Sequence, residues 1–113
     1  MSEEQGTEDK IVRVAVDPGI CGFPCRVEAR KGGKSEVRIE VESECAHIQR
    51  LASMVKVITL RGLFSPLSRN PIFVSAERAR CHASCAIPVA MAKAAEVALE
   101  MALPRDVRIT FEA

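Results

Sequence analysis

The chain has 113 residues, 48% of them hydrophobic and 27% charged, with a formal net charge of +1. That length and apolar fraction suit one core and one domain, and the near-neutral charge gives no field of the kind that draws in nucleic acid or an anionic membrane. With no Trp, no Tyr and four Phe, the aromatic platforms on which single-stranded nucleic acid stacks are missing too, and no apolar run approaches the ~20 residues of a membrane span.

Residues 1–10 are acidic and polar, lack the apolar stretch of a secretory signal, and read as a disordered tail ahead of a single domain over 11–113. Alternation then begins. Val12, Val14 and Val16 share one face of a first strand, which Asp17-Pro18-Gly19 ends with turn chemistry. A second strand opens near Cys25, with Val27 and Ala29 on one face and Arg26, Glu28 and Arg30 on the other. Lys31-Gly32-Gly33-Lys34 reads as a hairpin turn whose glycines supply positive φ. The third strand sets Val37, Ile39 and Val41 against Glu36, Arg38, Glu40 and Glu42, the pattern of an antiparallel sheet with one wet face.

Ser43 is the expected cap of a helix over 44–56, whose apolar face is Ile48, Leu51, Ala52 and Val55. Val57–Leu60 is open between helix end and short strand. Residues 61–80, with Gly62, Pro66 and Pro71, read as an irregular or short-helical connector. A second helix is expected over about 84–102, with small residues Ala90, Ala94, Ala98 and Ala102 on one face and Pro104 as its stop. Asp106–Glu112 then reads as a last strand, with Val107, Ile109 and Phe111 inward. The fold class is therefore α+β: an antiparallel meander of three strands plus a C-terminal strand, with two helices packed on one face.

The chemistry is concentrated in five cysteines, four of them in two Cys-x-x-x-Cys pairs, Cys21/Cys25 and Cys81/Cys85, with Cys45 between. In a cytoplasmic protein, the expected location here, thiols stay reduced, and clustered cysteines point to metal binding or catalysis before disulfides. The meander makes a spatial prediction. Cys21 leaves the first strand, Cys25 opens the second and Cys45 follows the third, all at one end of the sheet. The return of the connector brings Cys81 and Cys85 to the same end. Four or more thiolates can hold zinc or an iron–sulfur cluster, and these two cofactors are not distinguishable from the residues. His47 and His82 are further candidate ligands.

The cysteine positions resemble those of the U-type iron–sulfur cluster scaffold proteins, the NifU N-terminal domain family. Cys21-Gly22 matches the family's Cys-Gly before the second strand, Cys45 its cysteine after the third, and Cys81 or Cys85 its cysteine at the last long helix, which Pro88–Leu99 resembles. The resemblance implies a meander-plus-helix fold and a role in iron–sulfur assembly. The chain departs from that pattern with Phe23 in place of Asp, Glu44 and Ala46 in place of glycines, Arg80 in place of His, and extra cysteines.

The expected metal ligands are thus Cys21, Cys25, Cys45, Cys81 and Cys85. Two alternatives stand beside this reading. One is a thiol-dependent enzyme in which Cys45 or Cys85 is activated at a helix start with His82 as base. The other is a structural or partner-binding domain with buried cysteines, pairing with a protein partner or as a homodimer through the small-residue face of the last helix. Nothing else supports catalysis: there is no phosphate loop, and Ser65, Ser68 and Ser75 have no His/Asp partners in evident reach.

Overall fold

The computed structural model describes residues 10–113; the side chain of Cys21 lies outside the described residues, as does the acidic tail expected over 1–10 apart from Lys10. Four strands form one antiparallel sheet in the order β1 (Ile11–Val16), β2 (Cys25–Lys31), β3 (Glu36–Ser43) and β4 (Val57–Thr59). The register pairs Val14 with Val27 and Val27 with Val41, and lines up Val16, Cys25 and Ser43 at one end. Among the described residues there are four α-helices, α1 (Ala46–Met54), the single-turn α2 (Leu60–Leu63), α3 (Pro71–Arg78) and α4 (Ile87–Ala98), and two 3-10 turns, Gly19–Cys21 and Leu67–Arg69.

The architecture is α+β, with the helices covering one face of the sheet. Val27, Ala29, Val37 and Ile39 are buried beneath Leu51 of α1, Ile72 of α3 and Met91 of α4. The opposite face carries Arg13, Arg26, Glu28, Arg30, Arg38 and Glu40, and Arg13 bonds Glu28 across the strands at 3.2 Å. Alternation of apolar and charged residues therefore decides both layers.

The fourth strand is β4 and not the expected strand over 106–112. Residues 102–113 are exposed, residues 103–113 carry no regular structure, and Val107, Ile109 and Phe111 face solvent. The alternation there is real, but the β3 edge is taken by Val57–Thr59, whose register sets Val37 opposite Ile58 and buries Ile58. A three-residue strand directly after a helix gives too short a pattern to read. Both ends of each long helix also move inward, from the expected 44–56 to Ala46–Met54 and from 84–102 to Ile87–Ala98. Both expected serine caps fail: Cys45, not Ser43, is the cap of α1, and Ala86, not Ser84, that of α4.

The β2–β3 turn also departs from expectation. The left-handed residue is Ser35, with φ of 63°, and neither Gly32 nor Gly33 has positive φ. The longer loop closes through a bond from the Gly32 amide to the Glu36 carbonyl at 2.9 Å, and Leu60 donates to the Ser35 carbonyl at 2.9 Å. Asn70 is the buried polar side chain of the core. It accepts from the Ile72 amide at 3.0 Å, capping α3, and donates to the Leu63 carbonyl at 3.0 Å. It thereby joins α2 to α3 and sets the path that returns the chain to the upper end of the sheet.

Candidate functional site

That upper end collects the cysteines. Cys25 opens β2 beside Val16 and Ser43, is only 5% exposed, and belongs to the core. Cys45 caps α1. Its amide donates to the Ser43 hydroxyl oxygen at 3.0 Å and its carbonyl accepts from Gln49 at 2.9 Å, so its position is held from both sides. Cys21 ends a 3-10 turn over Gly19–Cys21, and Gly22 closes it in the left-handed region at φ 85°, a conformation that favours glycine.

Cys81 owes its position to the way α3 ends. Arg80 adopts φ of 65° and the Cys81 amide reaches back to the Ala76 carbonyl at 3.0 Å, a Schellman-type closure with arginine where glycine is commonest. A turn follows in which the Cys85 amide donates to the His82 carbonyl at 3.0 Å. Cys85 therefore precedes the α4 cap and does not sit in the first turn of that helix. This removes the helix-start activation on which a Cys85 nucleophile with His82 as base would depend.

Pro18, Phe23, Cys45, His47, Cys81, His82 and Cys85 line one cleft of about 20 Å³. A volume of about 10–15 Å³ is the least that takes a water molecule, so the cleft admits one small ion or water. Cys25 is buried nearby. Burial pushes its thiol up to about 11, and the neighbouring charges of Cys85 and Cys45 push in the same direction. Burial likewise raises Cys81, again with Cys85 and Cys45 contributing, while Arg50 pulls it back. Cys45 and Cys85 thus act on both Cys25 and Cys81, and none of the four is disulfide-bonded. They converge without closing: among the described residues no group of three His, Cys, Asp or Glu side chains stands ready to hold an ion.

Arg50 is the residue the sequence did not single out. Its Nη2 lies 2.8 Å from His47 Nδ1 and donates to the Ala79 carbonyl at 3.3 Å. Nδ1 also lies 3.0 Å from the Ala79 carbonyl, so it accepts from Arg50 with the ring proton on Nε2 and donates to Ala79 with that proton on Nδ1. In either tautomer Nδ1 is engaged by the protein itself. The i, i+3 spacing of His47 and Arg50 on α1 was the only available signal.

A family model matches residues 12–111; its description is "Family of unknown function (DUF6951)". The chain belongs to that family. No curated protein and no solved structure matches it. The family match runs through the meander, all four described cysteines and the C-terminal segment, so the cysteine end and the exposed tail both belong to the DUF6951 domain. No described helix of this chain is long and apolar enough to cross a membrane.

Proposed function

We propose that this DUF6951 chain is a cytoplasmic metal-binding protein that takes one thiophilic divalent ion, with zinc the best fit, through Cys25, Cys45, Cys81 and Cys85. Cys21 is a further or replacement ligand. The observation that carries the reading is the convergence of four thiols from β2, the α1 cap and the α3–α4 loop at one end of the sheet: Cys45, Cys81 and Cys85 line one small cleft, and Cys45 and Cys85 both raise the buried Cys25 beside it. Clustered thiols that stay protonated and neutral on their own become ligands when a bound cation displaces their protons.

The size of the cleft favours one ion over an iron–sulfur cluster. Phe23 lines it where the resembling scaffold family has Asp. A carboxylate competing for the metal is thereby absent, which suits a site that keeps its ion over one that assembles and hands on a cluster. Closing the site requires the α3–α4 loop to move its two thiols inward, and that loop is exposed at His82, Ala83 and Ser84.

The experiment is cobalt(II) titration of anaerobically purified, reduced protein, followed by zinc competition. The expected result is the intense sulfur-to-cobalt absorption of a tetrahedral thiolate site at one equivalent, lost in the Cys45→Ser/Cys81→Ser/Cys85→Ser variant and displaced by zinc. A brown protein with equimolar iron and sulfide overturns the zinc reading in favour of a cluster. If the protein takes up no metal and the triple variant melts at the same temperature, metal binding is refuted.

A further inference from the structure

The segment after α4 has the composition of a strand and the environment of none. Met101 to Ala113 is exposed throughout, with Ile109 86% and Phe111 97% accessible. Among the described residues, none of 106–113 makes a backbone hydrogen bond to the rest of the chain. Yet Val107, Ile109 and Phe111 alternate with Arg108, Thr110 and Glu112, and the DUF6951 match includes them. Three large apolar side chains on one face of an extended segment are a costly thing to leave in water.

The sheet offers a matching vacancy. β1 lies at the end of the strand order, and no strand among the described residues pairs with its outer edge. Its Val12, Val14 and Val16 face the helix layer but are only half-buried, because no strand lies beyond them. An unpaired six-residue edge of this kind is a template for strand addition. The charged outer face of the sheet rules out stacking the tail across it, since Arg30, Arg38, Glu28 and Glu40 would be stripped of water.

We propose that residues 106–112 add as a fifth strand to the free edge of β1 in a second copy of this chain, and that the exchange is reciprocal. The other end strand, β4, is only three residues long, so β1 is the edge that can accept a seven-residue segment, and a two-fold exchange gives each copy's tail such an edge. Charge selects the direction. In the antiparallel register that places Val14 opposite Ile109, Val12 opposite Phe111 and Val16 opposite Val107, Arg13 faces Thr110, with Glu112 on one diagonal and Arg108 no nearer than the other. The parallel alternative sets Arg13 against Arg108, a like-charge pair directly opposed. The antiparallel register also extends the existing Arg13–Glu28 contact into a three-strand row. The face of α4 formed by Ala90, Ala94 and Ala98 cannot serve as the pairing surface, because it is buried against this copy's own sheet.

The test is the mass in solution of the full chain, of a form ending at Ala102, and of Ile109→Lys, each with a thermal melt. The full chain is expected at twice 12.3 kDa and both variants at the single mass, still folding cooperatively. Arg13→Glu is expected to weaken the pair and Arg13→Glu/Glu112→Arg to restore it. A full chain that stays at the single mass at high micromolar concentration overturns the proposal, whether its tail amides exchange freely or are protected by pairing with its own β1. A dimer that survives loss of residues 103–113 overturns it equally. None of these variants touches a cysteine, so the outcome is independent of metal binding.

Discussion

Arg50 of α1 donates to the carbonyl of Ala79 at 3.3 Å, across the joint where α3 ends and the cysteine-bearing loop begins. Ala79 is fully buried, and its carbonyl is one of the last four of the helix, which have no partner within it. A cation at that end satisfies the carbonyl and opposes the negative end of the helix dipole. The same guanidinium lowers the Cys81 thiol against the push of burial and of its neighbours. One surface arginine therefore both anchors the loop and tunes a thiol in it.

Replacing Arg50 by Ala should therefore do two things. Stability should fall by about 1 kcal/mol, the net worth of a hydrogen bond to a backbone carbonyl. Cys81 should ionise at a higher pH, slowing its alkylation at mildly alkaline pH relative to the parent. Lys at the same position should recover most of the thiol effect and little of the anchoring, since an ammonium lacks the planar fork. Rates of alkylation mapped to individual cysteines by mass spectrometry would check both. Unchanged Cys81 reactivity in Arg50→Ala would remove the electrostatic role.

Arg80 tests the turn itself. At φ of 65° its Cβ meets the crowding that glycine avoids, yet the turn closes normally through Cys81 and Ala76. Arg80→Gly should stabilise the fold by about 1 kcal/mol by removing the left-handed penalty. Chemical denaturation with an unchanged slope would confirm it. A destabilised Arg80→Gly would mean that the arginine side chain contributes more than the strain costs.

How much of this was legible in the sequence follows from the range of each signal. Alternation over Val12–Val16, Val27–Ala29 and Val37–Val41 recurs every second residue over several pairs, so the meander and its buried face could be read directly. Convergence of the cysteines followed from that topology, because each strand end fixes where the next loop lies. The fourth strand could not be read in the same way. Val57–Thr59 is too short to show a period, whereas Val107–Phe111 shows one and has no partner in this copy. Local pattern reports what a segment can do; which edge it meets is decided by the rest of the fold. Ser35 in the left-handed region, bonded by the Leu60 amide, and Arg50 on Ala79 were illegible for the related reason that they involve contacts distant in sequence, while Arg80 closes a helix end locally with a residue type that does not announce it.

The raised thiols of Cys25 and Cys81 both make stability fall at alkaline pH, and the effect of Cys25 can be put in numbers. Its thiol titrates near 9 when free and at about 11 in the folded chain. Below pH 9 both states hold the proton and the thiol is neutral in the balance. Between the two values the unfolded chain has lost a proton that the folded chain retains, so each further pH unit favours unfolding by about 1.4 kcal/mol. The accumulated loss is about 2–3 kcal/mol by pH 11. Melts of the metal-free protein should show this decline, and Cys25→Ala should be less stable at pH 8 but should lose the steep decline. An equally steep decline in Cys25→Ala would assign the effect to another group.

The same protons govern metal uptake. Cys25 and Cys81 both have raised thiols, so at neutral pH an incoming zinc ion must displace their protons before it can bind both sulfurs. Each proton displaced costs tenfold in affinity for every unit the pH is lowered, so zinc binding should weaken by about 100-fold per pH unit if these two alone are released, and more steeply if Cys45 and Cys85 add theirs. The sign is fixed: affinity rises with pH up to the range in which the thiols ionise unaided. Calorimetric zinc titrations in two buffers of different ionisation enthalpy give the number of protons released directly. Two or more released protons at pH 7, reduced by one in Cys81→Ser, is the expected result. Release of fewer than one proton would mean that the ion engages no pair of these thiols as thiolates, and would refute the cysteine site.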